Sequence, residues 1–335
     1  MQENISKLKN LLSTQKQIVV TTHRGPDGDA MGSALAMFHF LKELGHIVNV
    51  IIPNLHPEFL HWMSGNKHVL VFEEDEELAN KITQNADLIF LLDFNHLSRI
   101  SDFSDTVSLT DVTKILIDHH QNPDTSIADI IFSDSKACST AQMVYEIIDA
   151  LGFRNYINKE IAECLYVGIM TDTGSFKYPS TNAKTHRVVS DLIEMGIDTS
   201  RIHDLIYDNS SSNRINLLGY CLYKKLLLYP KNNSAILSLS SDELDRFQFK
   251  KGDTEGFVNF ALGIKGIRFA AFIVEKEGVV KLSLRSKGNI KVNEIASKYF
   301  NGGGHVNAAG GISSVSINET IKILEEIINN YITNQ

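Results

Sequence analysis

Residues 18–22 form a short β-branched run that ends in a polar, acid-rich loop, and residues 30–44 then repeat apolar side chains at helical spacing until Gly45. Further runs rich in Ile, Val and Leu lie at 47–52, 88–93 and 114–118, of the kind buried on both faces of a parallel sheet. Helical patterns at 139–151, 159–170 and 183–195 complete an α/β set. This alternation predicts a doubly wound, mainly parallel sheet domain over residues 1–195. Such a sheet also constrains the chemistry, because ligands bind outside the carboxyl ends of its strands.

Residues 196–230 read as a helical connector, broken by the DNSSSN stretch at 208–213. After Pro230 the texture changes. A strand is expected at 234–239, a hairpin of 267–275 and 279–285 turning at Glu277 and Gly278, and a helix at 292–300, which together predict a smaller α+β domain over 231–335. A length of 335 residues suits two domains. With 43% hydrophobic and 21% charged residues, the disordered, collagen-like and membrane-spanning classes fit poorly. The N-terminal MQENISKLKNLLSTQKQ reads as a short amphipathic helix without a signal peptide's apolar segment. Cys138, Cys164 and Cys221 are widely spaced and form no C-x-x-C pair, so neither a disulfide framework nor a zinc knuckle is expected. These features predict a cytoplasmic protein without membrane association.

The acids and histidines fall where the expected strands end. HRGPDGD follows the first run, with His23, Asp27 and Asp29; Asp93 closes another; and Asp118, His119 and His120 close a third. Asp172 ends an apolar helical stretch. Taken singly, each has a plain explanation: Asp27, Gly28 and Asp29 suit a turn with a helix cap, a lone His119 or His120 suits a surface histidine, and Asp93 or Asp172 suits a loop acid or cap. Taken together, the four segments would converge on one crevice. Carboxylate and imidazole donors without thiolate suit manganese, magnesium, cobalt or iron better than a cysteine-rich zinc site, and manganese suits them best. Two such cations can clamp the attacking and leaving oxygens of an in-line phosphoryl displacement, so phosphoester hydrolysis is the expected reaction.

In order and spacing, HRGPDGDAMGS, Asp93, the DHH triplet and TDTGSF resemble the four motifs of the DHH phosphoesterase superfamily. GGGHVNAAGG at 302–311 resembles the glycine-rich motif of the C-terminal domain found in one branch of it. The two-domain length, PDGDAMGS, SKACSTAQMVYE and GGGH are most similar to the oligoribonuclease and pAp-phosphatase group, the NrnA-like nano-RNases. The resemblance implies that His23 and Asp27 hold one divalent cation, that Asp29, His119 and Asp172 hold a second, and that Asp93 bridges the pair. It implies further that His120 faces the scissile phosphate as donor or acid, that Asp118 orients His119, and that the active site lies in a cleft between the domains. Gly303, Gly304 and His305, with Arg285 in SLRSKG, would clamp a nucleotide's phosphate or sugar. A homodimer is the family habit.

The implied substrates are short single-stranded RNA, degraded to mononucleotides, and 3′-phosphoadenosine 5′-phosphate (pAp), converted to AMP. Hydrolysis of linear or cyclic dinucleotides, hydrolysis of pyrophosphate, and a nucleotide-binding module without catalysis are the alternatives. Asp plus Glu number 40 against 32 Lys plus Arg, a formal charge of -8, which argues against a duplex-coating protein. It agrees with short substrates, because cations at Asp27, Asp29, Asp93 and Asp172 would supply the attraction that a basic surface otherwise provides.

Overall fold

A computed structural model describes residues 2–276 and 278–332. Glu277, at the expected hairpin turn, lies outside the described residues. The chain divides into two units, Met1–Asn209 and Ser210–Gln335. The division falls inside the DNSSSN stretch.

In the first unit the elements run α1 (Gln2–Leu11), β1 (Gln17–Thr22), α2 (Gly28–Glu43), β2 (Ile47–Ile52), β3 (Val69–Val71), α3 (Glu76–Gln84), β4 (Leu88–Leu92), α4 (Phe103–Leu109), β5 (Thr113–Asp118), β6 (Ile130–Ser133), α5 (Thr140–Ala150), α6 (Lys159–Asp172), α7 (Ala183–Glu194) and α8 (Thr199–Ile206). Six parallel strands form a sheet in the order β3-β2-β1-β4-β5-β6. Strand order reverses between β1 and β4, and the crevice at such a switch point is where doubly wound folds place ligands. Side chains alternate across the sheet with a period of two. Ile18, Val20, Leu88, Phe90 and Leu92 pack into one core cluster with α2, α5 and α6, whereas Val19, Ile89 and Leu91 pack into another with α3 and α4. Both faces are therefore covered, which is why these runs are apolar throughout. The edge strands β3 and β6 are additions to the sequence reading; at three and four residues they are too short for periodicity to register.

The pairing of α2 with α6 depends on glycine. A Cβ on Gly32 would lie 2.6 Å from the Cys164 carbonyl oxygen and 2.8 Å from the Gly168 nitrogen. The two helices approach so closely that backbone meets backbone, which draws the start of α2 and the end of α6 together at the switch point.

In the second unit the elements are α9 (Ser212–Lys224), β7 (Leu227–Tyr229), β8 (Ser234–Leu239), α10 (Ser241–Arg246), α11 (Phe257–Leu262), β9 (Phe269–Lys276), β10 (Val279–Ser286), α12 (Val292–Tyr299), β11 (Gly303–His305), β12 (Ala308–Ser313) and α13 (Ile317–Ile327). The sheet order is β11-β12-β10-β9-β8-β7, with β8 and β9 parallel and the other pairs antiparallel. It has its own cores, Ile236, Phe269, Leu282 and Leu284 on one face and Leu237, Phe257 and Phe272 on the other. Among the described residues, no helix is long and apolar enough to cross a membrane.

Candidate metal centre

His23 leaves the end of β1 and is buried. Its Nδ1 lies 3.0 Å from its neighbour's carbonyl, that of Arg24. Donation there leaves the lone pair on Nε2, which faces Asp27 Oδ1 at 3.9 Å and Asp93 Oδ2 at 3.4 Å. Burial pushes the His23 pKa below the ordinary imidazole value and keeps the ring neutral. Asp27 is also the N-cap of α2, accepting from the backbone of Asp29 at 3.0 Å and Ala30 at 3.1 Å. The cap and the cluster are thus the same residue. Arg24, whose role the sequence leaves open, is exposed and ion-paired with Glu73.

Asp93 follows β4 in a left-handed backbone, φ 65°, a conformation uncommon for any residue but glycine and one that concentrates at functional sites. Its two oxygens face two histidines: Oδ2 faces His23, and Oδ1 lies 3.5 Å from His119 Nε2. The same His119 nitrogen is 3.8 Å from Asp29 Oδ2 and 3.6 Å from Asp172 Oδ2. His119 Nδ1 points at the Ala137 carbonyl, 3.4 Å away. Donor atoms of His23, Asp27 and Asp93 lie mutually within 4.8 Å, as do those of Asp29, Asp93 and His119. Asp93 belongs to both groups.

The structure brings His23, Asp27, Asp29, Asp93, His119 and Asp172 together, with His120 and Asp118 beside them. Asp118 Oδ1 accepts from His120 Nδ1 at 2.7 Å, so it orients His120, a partner the sequence did not name for it.

Sequence reasoning missed Thr140. At the start of α5 its backbone N–H donates to Asp29 Oδ2 at 2.6 Å and that of Ala141 to Asp29 Oδ1 at 2.9 Å, while the Thr140 hydroxyl donates to Asp93 Oδ1 at 2.8 Å. A helix N-terminus is well suited to hold a carboxylate. The available signal was a Ser139–Thr140 pair opening a helical pattern, which announces a cap but not a partner 111 residues away.

Gly168 of α6 makes the room. A Cβ there would lie 2.8 Å from Asp29 Oδ1 and 2.5 Å from Ala141 Cβ.

In the second unit, Arg285 of β10 and His305 of β11 both stand in register with Ala308 of β12. They share one face in a transverse row, about 10 Å apart at two strand spacings. The glycines differ in duty. A Cβ on Gly302 would lie 2.0 Å from the Gly310 carbonyl oxygen, and Gly304 sits at φ +140° with its Cβ position 2.5 Å from the Ala308 oxygen, whereas Gly303 faces open space. Packing against β12 demands the first and third, and only Gly303 is free of that demand.

With this geometry in place, comparison with known proteins identifies the chain. Residues 17–169 match the model of the DHH family, N-terminal domain, and residues 233–330 match the DHHA1 domain. The bifunctional oligoribonuclease and PAP phosphatase NrnA of Thermus thermophilus is 30% identical over 301 residues, 90% of this chain and 85% of the relative. The chain belongs to the DHH phosphoesterase family. The crystal structure of an exopolyphosphatase-related protein from Bacteroides fragilis is 41% identical, with a TM-score of 0.94 over 99% of this chain and 97% of that one. RecJ of Thermus thermophilus in complex with Mn2+ shares the fold at 13% identity, with a TM-score of 0.59 over 100% of this chain and 55% of that one.

The donor set of this DHH phosphoesterase fits divalent cations. Around His23, lone pairs of a neutral imidazole and of two carboxylates converge at 3.4–3.9 Å, an arrangement that repels unless positive charge lies among them. Burial raises the Asp93 pKa well above the carboxylate range, and Asp29, Asp27, Asp172 and Asp118 raise it further. Burial opposes charge on His119 too, but Asp172, Asp29 and Asp118 outweigh it and hold that pKa above its ordinary value. Asp118 Oδ2 is buried without a hydrogen-bond partner. Each of these is a deficit of positive charge that a cation would relieve.

Proposed function

We propose that this DHH phosphoesterase hydrolyses short oligoribonucleotides to mononucleotides and pAp to AMP, with two divalent cations, manganese foremost, at the switch point of the first unit. The observation that carries the two-cation reading is Asp93, with one oxygen toward each of two histidines. The substrate class follows the likeness to NrnA. His23, Asp27 and Asp93 would hold one cation, and Asp29, Asp93, His119 and Asp172 the other. Such a pair, when bound, would supply positive charge to the phosphoryl oxygens and lower the pKa of water.

The remaining groups orient substrate and move protons. As an imidazolium, His120 donates Nδ1–H to Asp118 and gives its Nε2 proton to the ribose oxygen as the phosphorus–oxygen bond breaks, which leaves a neutral ring. The carboxylate of Asp118, buried at the end of β5, fixes that ring. Arg285 and His305 bind a nucleotide phosphate or sugar, and the backbone at Gly303 and Gly304 approaches the same group.

The test is a hydrolysis panel in Mn2+ with pAp, pApA, RNA from dimer to decamer, a cyclic dinucleotide and pyrophosphate. Turnover should be fastest on pAp and the shortest RNA, and Asp29→Asn should lower it by at least about 100-fold. Fastest turnover of pyrophosphate or of the cyclic dinucleotide would overturn the substrate assignment, and wild-type rates in Asp29→Asn would overturn the site.

A further inference from the structure

Thr140 makes contacts that capping does not require. Ser139 already caps α5, its hydroxyl accepting from the Gln142 backbone at 3.0 Å. Thr140 is the next residue, fully buried, and a buried hydroxyl must find a partner. Its partner is Asp93 Oδ1, at 2.8 Å, although 47 residues separate the two in sequence. The torsion that turns a carboxylate about its Cβ–Cγ bond is broad and has no sharp intrinsic minimum. The left-handed backbone of Asp93 aims its side chain into the cluster but leaves that torsion free.

We infer that Thr140 is a positioning residue whose hydroxyl sets the plane of the Asp93 carboxylate, so that Oδ2 presents to the His23 side and Oδ1 to the His119 side. The inference rests on reading the centre as a two-cation site. Oδ1 has two lone pairs. Donation from Thr140 occupies one and leaves the other for the side on which His119, Asp29 and Asp172 converge. The same residue's backbone N–H holds Asp29 Oδ2. Thr140 therefore ties the carboxylate shared by both groups to a carboxylate that belongs to one of them. Replacing the side chain removes only the first tie, because the N–H remains.

The test measures Mn2+ binding to the full chain by calorimetry for the wild type, Thr140→Val and Thr140→Ser, with thermal melts in EDTA. Valine keeps the volume and loses the hydroxyl, whereas serine keeps the hydroxyl. The wild type should bind two Mn2+. Thr140→Val should bind at least one of them about 10–100-fold more weakly, with a wild-type melt in EDTA, and Thr140→Ser should bind both as the wild type does. Wild-type Mn2+ binding by Thr140→Val would overturn the positioning role while leaving the two-cation reading intact. A wild type that binds no Mn2+ would overturn that reading and the role with it. Should Thr140→Val fail to fold, Thr140→Ala takes its place with the same expectation. Failure of both to fold would contradict the inference, which gives the hydroxyl to the carboxylate and not to the fold.

Discussion

Burial and the neighbouring Asp29, Asp27, Asp172 and Asp118 hold Asp93 well above the pKa of an exposed carboxylate. The fold thus raises its pKa over the unfolded value. Its contribution is favourable below the unfolded carboxylate range and is lost as pH rises toward the folded value, so neutral pH lies on the costly side. Asp93→Asn should therefore melt higher than the wild type in EDTA, by roughly 2–4 °C for each kcal/mol of repulsion relieved, while Mn2+ should raise the melt of the wild type more than that of the variant. A lower melt in EDTA, or an equal response to Mn2+, would contradict this. His23, Asp93 and the DHH triplet were legible in the sequence because they close apolar runs, and a parallel sheet gathers such positions. The partner of Asp118 and the part played by Thr140 were not. They depend on which way a side chain faces as the strand ends and on a helix start brought to Asp29 from 111 residues away.

At the level of elements, the site exists because α2 and α6 cross where glycines let them touch. Gly168→Ala should place its methyl against Ala141 and Asp29 Oδ1, lowering stability by about 1–3 kcal/mol and weakening Mn2+ binding together. Melts with and without Mn2+ check this, and a wild-type metal response in the alanine variant would sever the helix crossing from the site. The periodicity showed both helices but not their crossing, since a helical pattern reports which face is apolar and not which backbone it meets. The edge strands β3 and β6 were missed for their brevity, while the long runs that became β1, β4 and β5 were plain. In the second unit the GGGH motif separates by substitution. Gly302→Ala should destabilise this unit through the Gly310 carbonyl oxygen, whereas Gly303→Ala should fold normally and raise KM for pAp. Wild-type KM in the latter would remove Gly303 from substrate binding.

For the molecule as a whole, each unit has cores of its own, and the chemistry-bearing acids belong to the first. A formal charge of -8 disfavours the long-range capture of long polymers that rests on counterion release. On the proposed reading, two divalent cations at the acid cluster would reverse the local sign and leave the chain net acidic, which agrees with short nucleotides as substrates. A centre built around Asp93 requires two cations on the full chain. Native mass spectrometry of the full chain in Mn2+, with Asp93→Asn alongside, counts them directly. Two Mn2+ per wild-type chain, and at most one in the variant, is the predicted result; none or one in the wild type, or two retained without the Asp93 carboxylate, would contradict a centre built around that residue.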